Sequence, residues 1–186
     1  TGAGGFVGRH LVHELAQSGH EVLAFDQSFS SAVAGATSSS TGDLRDAAAM
    51  DRLFAATRPD ACVHLGGLSF VPAGRANPEI MLAVNIIGTV NVLEAVRAQV
   101  PTCRVLVVST AQVYQATPDG PPIREDTPLL PATVYAISKA AATVPGPPGE
   151  ALRYVAEAVA FMVGSGQHGA VTVHLGDQTK DGQLDV

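Results

Sequence analysis

Apolar positions fall into short blocks whose period switches back and forth along the chain. After a glycine-rich stretch, TGAGGFVG (1–8), Leu11, Val12, Leu15 and Ala16 recur at helical spacing and predict a helix that Gly19 closes. EVLAFD (21–26) is a brief apolar run ending in an acid and reads as a strand. Residues 28–41, SFSSAVAGATSSST, are rich in Ser and Ala and read as a surface loop. A helix over 47–57 (AAAMDRLFAAT), a Pro59-Asp60 turn and a strand over 61–67 (ACVHLGG) follow. A loop through Pro72 and Pro78 leads into a long helix at about 79–99. RVLVVST (104–110) is the most strand-like run, and a proline-rich connection (117–131) precedes a helix at TVYAISKAAAT (133–143).

Strands that alternate with helices predict an α/β fold, a doubly wound parallel sheet with helices on both faces. VLVVS lacks polar alternation, as a strand buried on both faces should. The pattern assigns residues 1–143 to one sheet-and-helix domain. VPGPPGE (144–150) breaks it and opens a residual C-terminal segment, 144–186. There ALRYVAEAVAFMVGS (151–165) reads as an amphipathic helix and AVTVHLGD (170–177) as a further strand.

Composition narrows the partners. With 46% hydrophobic and 15% charged residues the chain is globular. A net charge of −6 argues against nucleic acid, which needs concentrated Lys and Arg. Helix N-termini can still bind a phosphate locally. Cys62 and Cys103 sit in apolar strand-like runs, so buried free thiols in a reducing, cytoplasmic compartment are expected. No Cys/His spacing suits a metal, and His10 and His13 do not form HExxH. No run reaches the ~18 apolar residues of a membrane span, and no signal peptide is visible. No membrane partner is expected.

Gly2, Gly5 and Gly8 form GxxGxxG. The first makes a tight turn, the second admits a pyrophosphate, and the third lets helix and sheet pack closely. The helix starting near Phe6 and Val7 directs N–H groups and its positive dipole end at such a phosphate. Asp26 follows Gly8 by 18 residues, near the ~20 that put a carboxylate on the ribose hydroxyls. No Arg follows it, and its charge would repel a 2′-phosphate, which favours NAD over NADP. Tyr135 and Lys139 are four apart and share a helix face. A Lys ammonium favours phenolate by up to about 4 kcal/mol at ~4 Å and effective dielectric ~20. That would move a tyrosine from about 10 toward neutrality. Such a phenol can carry a proton to or from a hydroxyl while hydride moves. Thr110, at the end of the 104–110 run, can donate to the same oxygen or simply cap the next turn.

The order TGAGGFVG, Asp26, GDL, HLGG, NIIGTVNVLEA, VVSTAQVY, YAISK resembles the extended short-chain dehydrogenase/reductases. It is most similar to the NAD-dependent epimerases, dehydratases and reductases of nucleotide-linked sugars. The resemblance runs from Thr1 to about Thr143 and implies a Rossmann-like fold, NAD as cofactor and a nucleotide-sugar substrate. It implies Thr110, Tyr135 and Lys139 as the catalytic Ser/Thr, Tyr and Lys, with Tyr135 and Lys139 also at the cofactor, where Lys139 can hold the ribose hydroxyls. Asp43 and Leu44 would lie against adenine, and Leu65, Gly66 and Gly67 would line the nicotinamide side, where the family usually has Ala-Ala after Leu. Asn85 would brace the sheet edge and the active-site helix, and Val108 belongs to the cofactor-side strand end. SFVPAGRANPE and PPIREDTPLLP resemble the branch acting on GDP-mannose-derived sugars. A homodimer packing the NIIGTVNVLEA and YAISK helices against their copies is also implied. Cover of the same face within one chain stays open.

The chain departs from the family at several positions. Dehydratases usually carry an acid just after the catalytic Thr, where Ala111 and Gln112 stand. That leaves epimerisation or 4-keto-sugar reduction ahead of dehydration. Gln115 replaces a Gly and Val134 a Pro. The strand that should precede Thr1 is expected upstream, and the substrate lobe after Thr143 is expected to be shortened. A non-catalytic dinucleotide-binding remnant is the rival reading.

Overall fold

The computed structural model describes residues 1–114, 120, 122–124, 126–142 and 154–155. Helix α1 (Phe6–Gln17) starts at Gly5, whose backbone is extended and offers no side-chain cap. It ends in a Schellman turn. Gly19, at φ +83°, donates to Ala16 O (3.0 Å) and His20 donates to Leu15 O (3.1 Å). Strand β1 (Leu23–Asp26) follows, then β2 (Ser38–Thr41), α2 (Ala47–Thr57), β3 (Ala61–His64) and α3 (Val71–Ala76). Asp46 caps α2, accepting from Ala49 N. Asn77 caps α4 (Pro78–Leu82), with Pro78 in the first turn. One π turn (Ala83–Ile87) joins α4 to α5 (Gly88–Gln99). Strand β4 (Arg104–Val107), a 3₁₀ turn (Ala111–Val113), α6 (Val134–Ala142) and β5 (Tyr154–Val155) complete the described elements.

Every described strand pair is parallel, β1 with β2 and β3 with β4 and β5. The first residues join the two ladders. Thr1 N donates to Val63 O (2.7 Å), Leu65 N to Thr1 O (3.1 Å) and Ala3 N to Phe25 O (3.1 Å). Thr1–Ala3 therefore lie between β1 and β3.

Successive side chains of a strand face opposite ways. Ala24 enters a cluster with Val12, Val22 and Val33 under α1. Phe25 enters the larger one with Met50, Phe54, Cys62, Val92, Val96 and Val105, packed by α2 and α5. The sheet is thus covered on both faces, as the pattern predicts. Cys62 and Cys103 are buried free thiols, and burial pushes Cys103 up to about 12.

Four expectations change. Residues 38–41 are a strand, not loop. Every side chain of SSST is exposed, so no apolar period marks it, and it is held by backbone pairing to β1. Residues 71–76 form a helix where a loop was expected. The helix at 78–99 is long and apolar enough, by length and composition, to cross a membrane. One face of it buries Met81, Asn85, Thr89, Val92, Ala95 and Val96 in the protein, while Ile80, Ile87 and Val90 are exposed. Finally, Tyr154–Val155 pair with β4 rather than continuing a helix. Both are strand-favouring residues set against a free β4 edge. The remainder of 144–186, Thr143 and Gln115 lie outside the described residues.

Candidate functional site

A cleft of about 430 Å³ opens where β1, β3 and the glycine turn meet. Its walls include Gly2, Gly4, Gly5, Asp26, Asp43, Leu44, Leu65, Gly66 and Gly67. Ligands of open α/β sheets bind at this carboxyl edge. Residues not singled out in the sequence also line it, among them Phe25, Gln27, Ser28, Ser30, Gly42, Leu68 and Val84. Most of them neighbour a predicted position.

The glycines have separable reasons. Gly2 has φ +75°, and a methyl there would lie 2.6 Å from Gly66 N. A methyl on Gly8 would lie 2.1 Å from Gly2 O, so Gly8 serves helix–sheet contact and does not line the cleft. Gly5 has room, its nearest neighbour being Gly2 O at 3.4 Å. Phe6 and Val7 carry their side chains to solvent, Phe6 edge-on to His10, and only their helix-start N–H groups can serve a ligand. Gly66 and Gly67, in place of the family's alanines, follow from crowding. A methyl would stand 2.8 Å from Leu44 Cδ1 at the first and 2.9 Å from Asn85 Oδ1 at the second.

Asp26 stands at the tip of β1. Its Oδ2 accepts from Gly4 N (2.8 Å) and its Oδ1 from Gln27 N (2.7 Å). Asp43 is gripped by the Arg45 guanidinium, which holds its carboxyl below the usual range. The pair is largely exposed, so its contribution to stability is small.

Asn85 and Val108, like Tyr135 and Lys139, are not among the residues that line the cleft. Asn85 is buried and braces. Its Nδ2 donates to Leu68 O (3.0 Å) and Ser138 Oγ (2.9 Å), and its Oδ1 accepts from Leu68 N (2.7 Å). The Val108 carbonyl accepts from Lys139 Nζ (2.8 Å). A methyl on Gly67 would lie 3.7 Å from that Nζ, so the ammonium stands just behind the cleft wall.

Tyr135 and Lys139 share the buried face of α6. The pKa of Tyr135 moves opposite to the expected direction. Burial raises it, and the Thr110 side chain in hydrogen-bonding contact offsets part of the rise. Burial also lowers Lys139, whose ammonium lies against the Val108 carbonyl. Thr110 also fills the capping part expected of it, its Oγ1 accepting from Gln112 N (3.3 Å) at the 3₁₀ turn.

His64, which the sequence reading passed over, is buried at the end of β3. Its Nδ1 lies 2.6 Å from Thr1 Oγ1 and its Nε2 3.0 Å from Thr89 Oγ1. The Thr89 hydroxyl donates to Asn85 O (2.6 Å), so only its lone pairs face the ring. The hydrogen therefore sits on Nε2, and Nδ1 accepts from Thr1. Burial above all, with the positive charge of Lys139 acting the same way, pushes His64 down to about 3. An unfolded histidine takes a proton near 6.5, so this group's stability is present above that pH and is lost as the pH falls. About 2 kcal/mol should disappear between pH 6.5 and about 5. Urea titrations of the protein and of His64→Gln across that window measure it, and parallel curves for the two would refute it.

The model of the NAD-dependent epimerase/dehydratase family matches residues 1–144. UDP-glucose 4-epimerase 2 of Oryza sativa subsp. japonica is 34% identical over 152 residues, 75% of this chain and 37% of the relative. The structure of the Thermus thermophilus UDP-glucose 4-epimerase complex with NAD aligns with a TM-score of 0.69 at 30% identity, covering 76% of this chain and 46% of that one. The Bordetella bronchiseptica enzyme WbmG in complex with NAD and UDP aligns at 0.63 and 32%, with the same coverages. The chain spans less than half the length of these relatives.

Proposed function

The chain belongs to the NAD-dependent epimerase/dehydratase family, and on that footing we propose that it is the NAD-binding part of a nucleotide-sugar epimerase. The observation that carries this reading is the cleft itself. Glycines 2, 4 and 5 form one wall, Asp26 stands at one end, and Gly66 and Gly67 line it where a methyl would press on Leu44 or Asn85. Such a cradle suits a dinucleotide, with first-turn N–H groups of α1 toward the pyrophosphate and Asp26 toward the ribose hydroxyls. Asp43 and Leu44 fit the adenine side, and Leu65 the nicotinamide side.

When bound, NAD supplies the hydride acceptor and donor for a sugar carbon. The chain's own residues handle the proton. Tyr135 exchanges it with the sugar hydroxyl, and its raised pKa keeps the free phenol protonated at neutral pH. Thr110 touches the phenol and orients the same oxygen. Lys139, held by the Val108 carbonyl, offers a positive charge beside the cofactor site. Ala111 and Gln112 put no acid after Thr110, which favours epimerisation or 4-keto reduction over dehydration.

The relatives named above act on or bind UDP compounds by their names, which draws the proposed substrate toward a UDP-linked hexose and away from the GDP-mannose branch. Exposed Ile87, Val90 and Ile137 support a second copy packing on this helical face, which sedimentation would decide. The free buried thiols suit a cytoplasmic compartment.

Calorimetric titration tests the cofactor reading. NAD should bind at least about tenfold more tightly than NADP, a difference of about 1.4 kcal/mol or more. Asp26→Asn should narrow that gap by weakening NAD and relieving NADP. No measurable NAD binding would refute the proposal.

A further inference from the structure

A strut joins the glycine turn to the far wall of the cleft without entering it. Arg9 lies in the first turns of α1, half-buried, and is not among the residues lining the cleft. Its Nε donates to Gly4 O at 3.1 Å. One terminal nitrogen donates to Ala32 O at 3.1 Å. The other donates to Ser31 O at 3.1 Å and lies 3.4 Å from Ser30 Oγ. One guanidinium thus holds three carbonyls from two segments far apart in sequence. Only a planar fork of five donors can do so, since an ammonium offers a point charge on a flexible stem.

The two segments it joins are the two sides of the cleft's adenosine end. Gly4, on one side, also donates its N–H to Asp26 Oδ2. Ser28 and Ser30, on the other, line the cleft beside Asp26. Beyond Arg9's reach, the same loop is held by Phe29, Val33 and Ala36, which pack into the cluster under α1, and by the Thr37–Val22 hydrogen bonds at its end. Those contacts hold the loop's root. The carbonyls of Ser31 and Ala32 hold its rim.

We infer that Arg9 is a positioning residue for the adenylate half of the dinucleotide, acting through the wall it fixes rather than by touching the ligand. This rests on the dinucleotide reading proposed above. Because its donors already face carbonyls, Arg9 does not serve a 2′-phosphate, and the preference that Asp26 sets is left in place.

The test titrates the full chain, Arg9→Lys and Arg9→Met with ADP-ribose, alongside ligand-free thermal unfolding. Both variants should bind ADP-ribose roughly tenfold more weakly, the scale of losing charge-assisted hydrogen bonds. Their ligand-free midpoints should stay close to that of the parent, and amides of residues 28–33 should exchange faster. Arg9→Lys with full affinity would show that charge alone suffices and would overturn the inference. So would affinities of both variants within about twofold of the parent. So would a loss of affinity that vanishes on cooling a destabilised variant. A parent chain that does not bind ADP-ribose would instead overturn the dinucleotide reading itself.

Discussion

Tyr135→Phe is expected to lower turnover of a nucleotide-linked hexose by about 10²–10⁴-fold, the usual worth of a positioned proton carrier. NAD affinity should remain within about twofold, because binding and proton transfer fall to different groups. The change removes one oxygen from a side chain that is already buried against Thr110 and the α6 face, so the fold should survive it. Thr110→Ala is a poorer probe, since it also removes the acceptor for Gln112 N at the 3₁₀ turn. The readout is the near-ultraviolet absorbance of reduced nicotinamide together with sugar turnover. Undiminished turnover on every active substrate would remove Tyr135 from the mechanism and with it the enzymatic reading of this site.

The second large effect separates glycines within one motif. Gly8→Ala places a methyl 2.1 Å from Gly2 O and 2.7 Å from Ala3 Cα, both backbone atoms that cannot swing aside. A loss of about 3 kcal/mol is expected, which for a chain of this size lowers Tm by about 6–12 °C. Gly5→Ala meets only Gly2 O at 3.4 Å, an ordinary contact. That variant should melt within a few degrees of the parent yet bind NAD poorly, because its methyl points where the pyrophosphate must approach. Thermal scans with and without NAD distinguish the two. Equal destabilisation by both would contradict the division of labour between the glycines.

These expectations were legible in the sequence to different depths. The helix and strand alternation and the glycine turn leave local signatures, because period, caps and turn chemistry are properties of adjacent residues. The walls of the cleft follow from them, since strand tips carry Asp26 and Leu65 to one edge. Strand β2 leaves no such trace. Four exposed hydroxyl side chains carry no apolar period, and only the pairing partner Leu23–Asp26 reveals the strand. The spacing of Tyr135 and Lys139 correctly gives a shared face. It does not give the direction of the ammonium, which the Val108 carbonyl, 31 residues away, decides. His64 and Arg9 escaped for the same reason. The partners of His64 lie 63 and 25 residues away, and those of Arg9, Gly4 apart, 21 to 23.

The bare hydroxyl character of β2 has a consequence for behaviour in a crowded solution. Among the described residues its ladder is paired on one side only, so its outer backbone groups could template another chain. Four residues of Ser and Thr give an intruding strand no greasy side chain to grip and little length to zip along. The strand thus closes the ladder beside the cofactor cleft while discouraging edge-to-edge polymerisation, a safeguard built from the residues that hid it from the hydrophobic pattern.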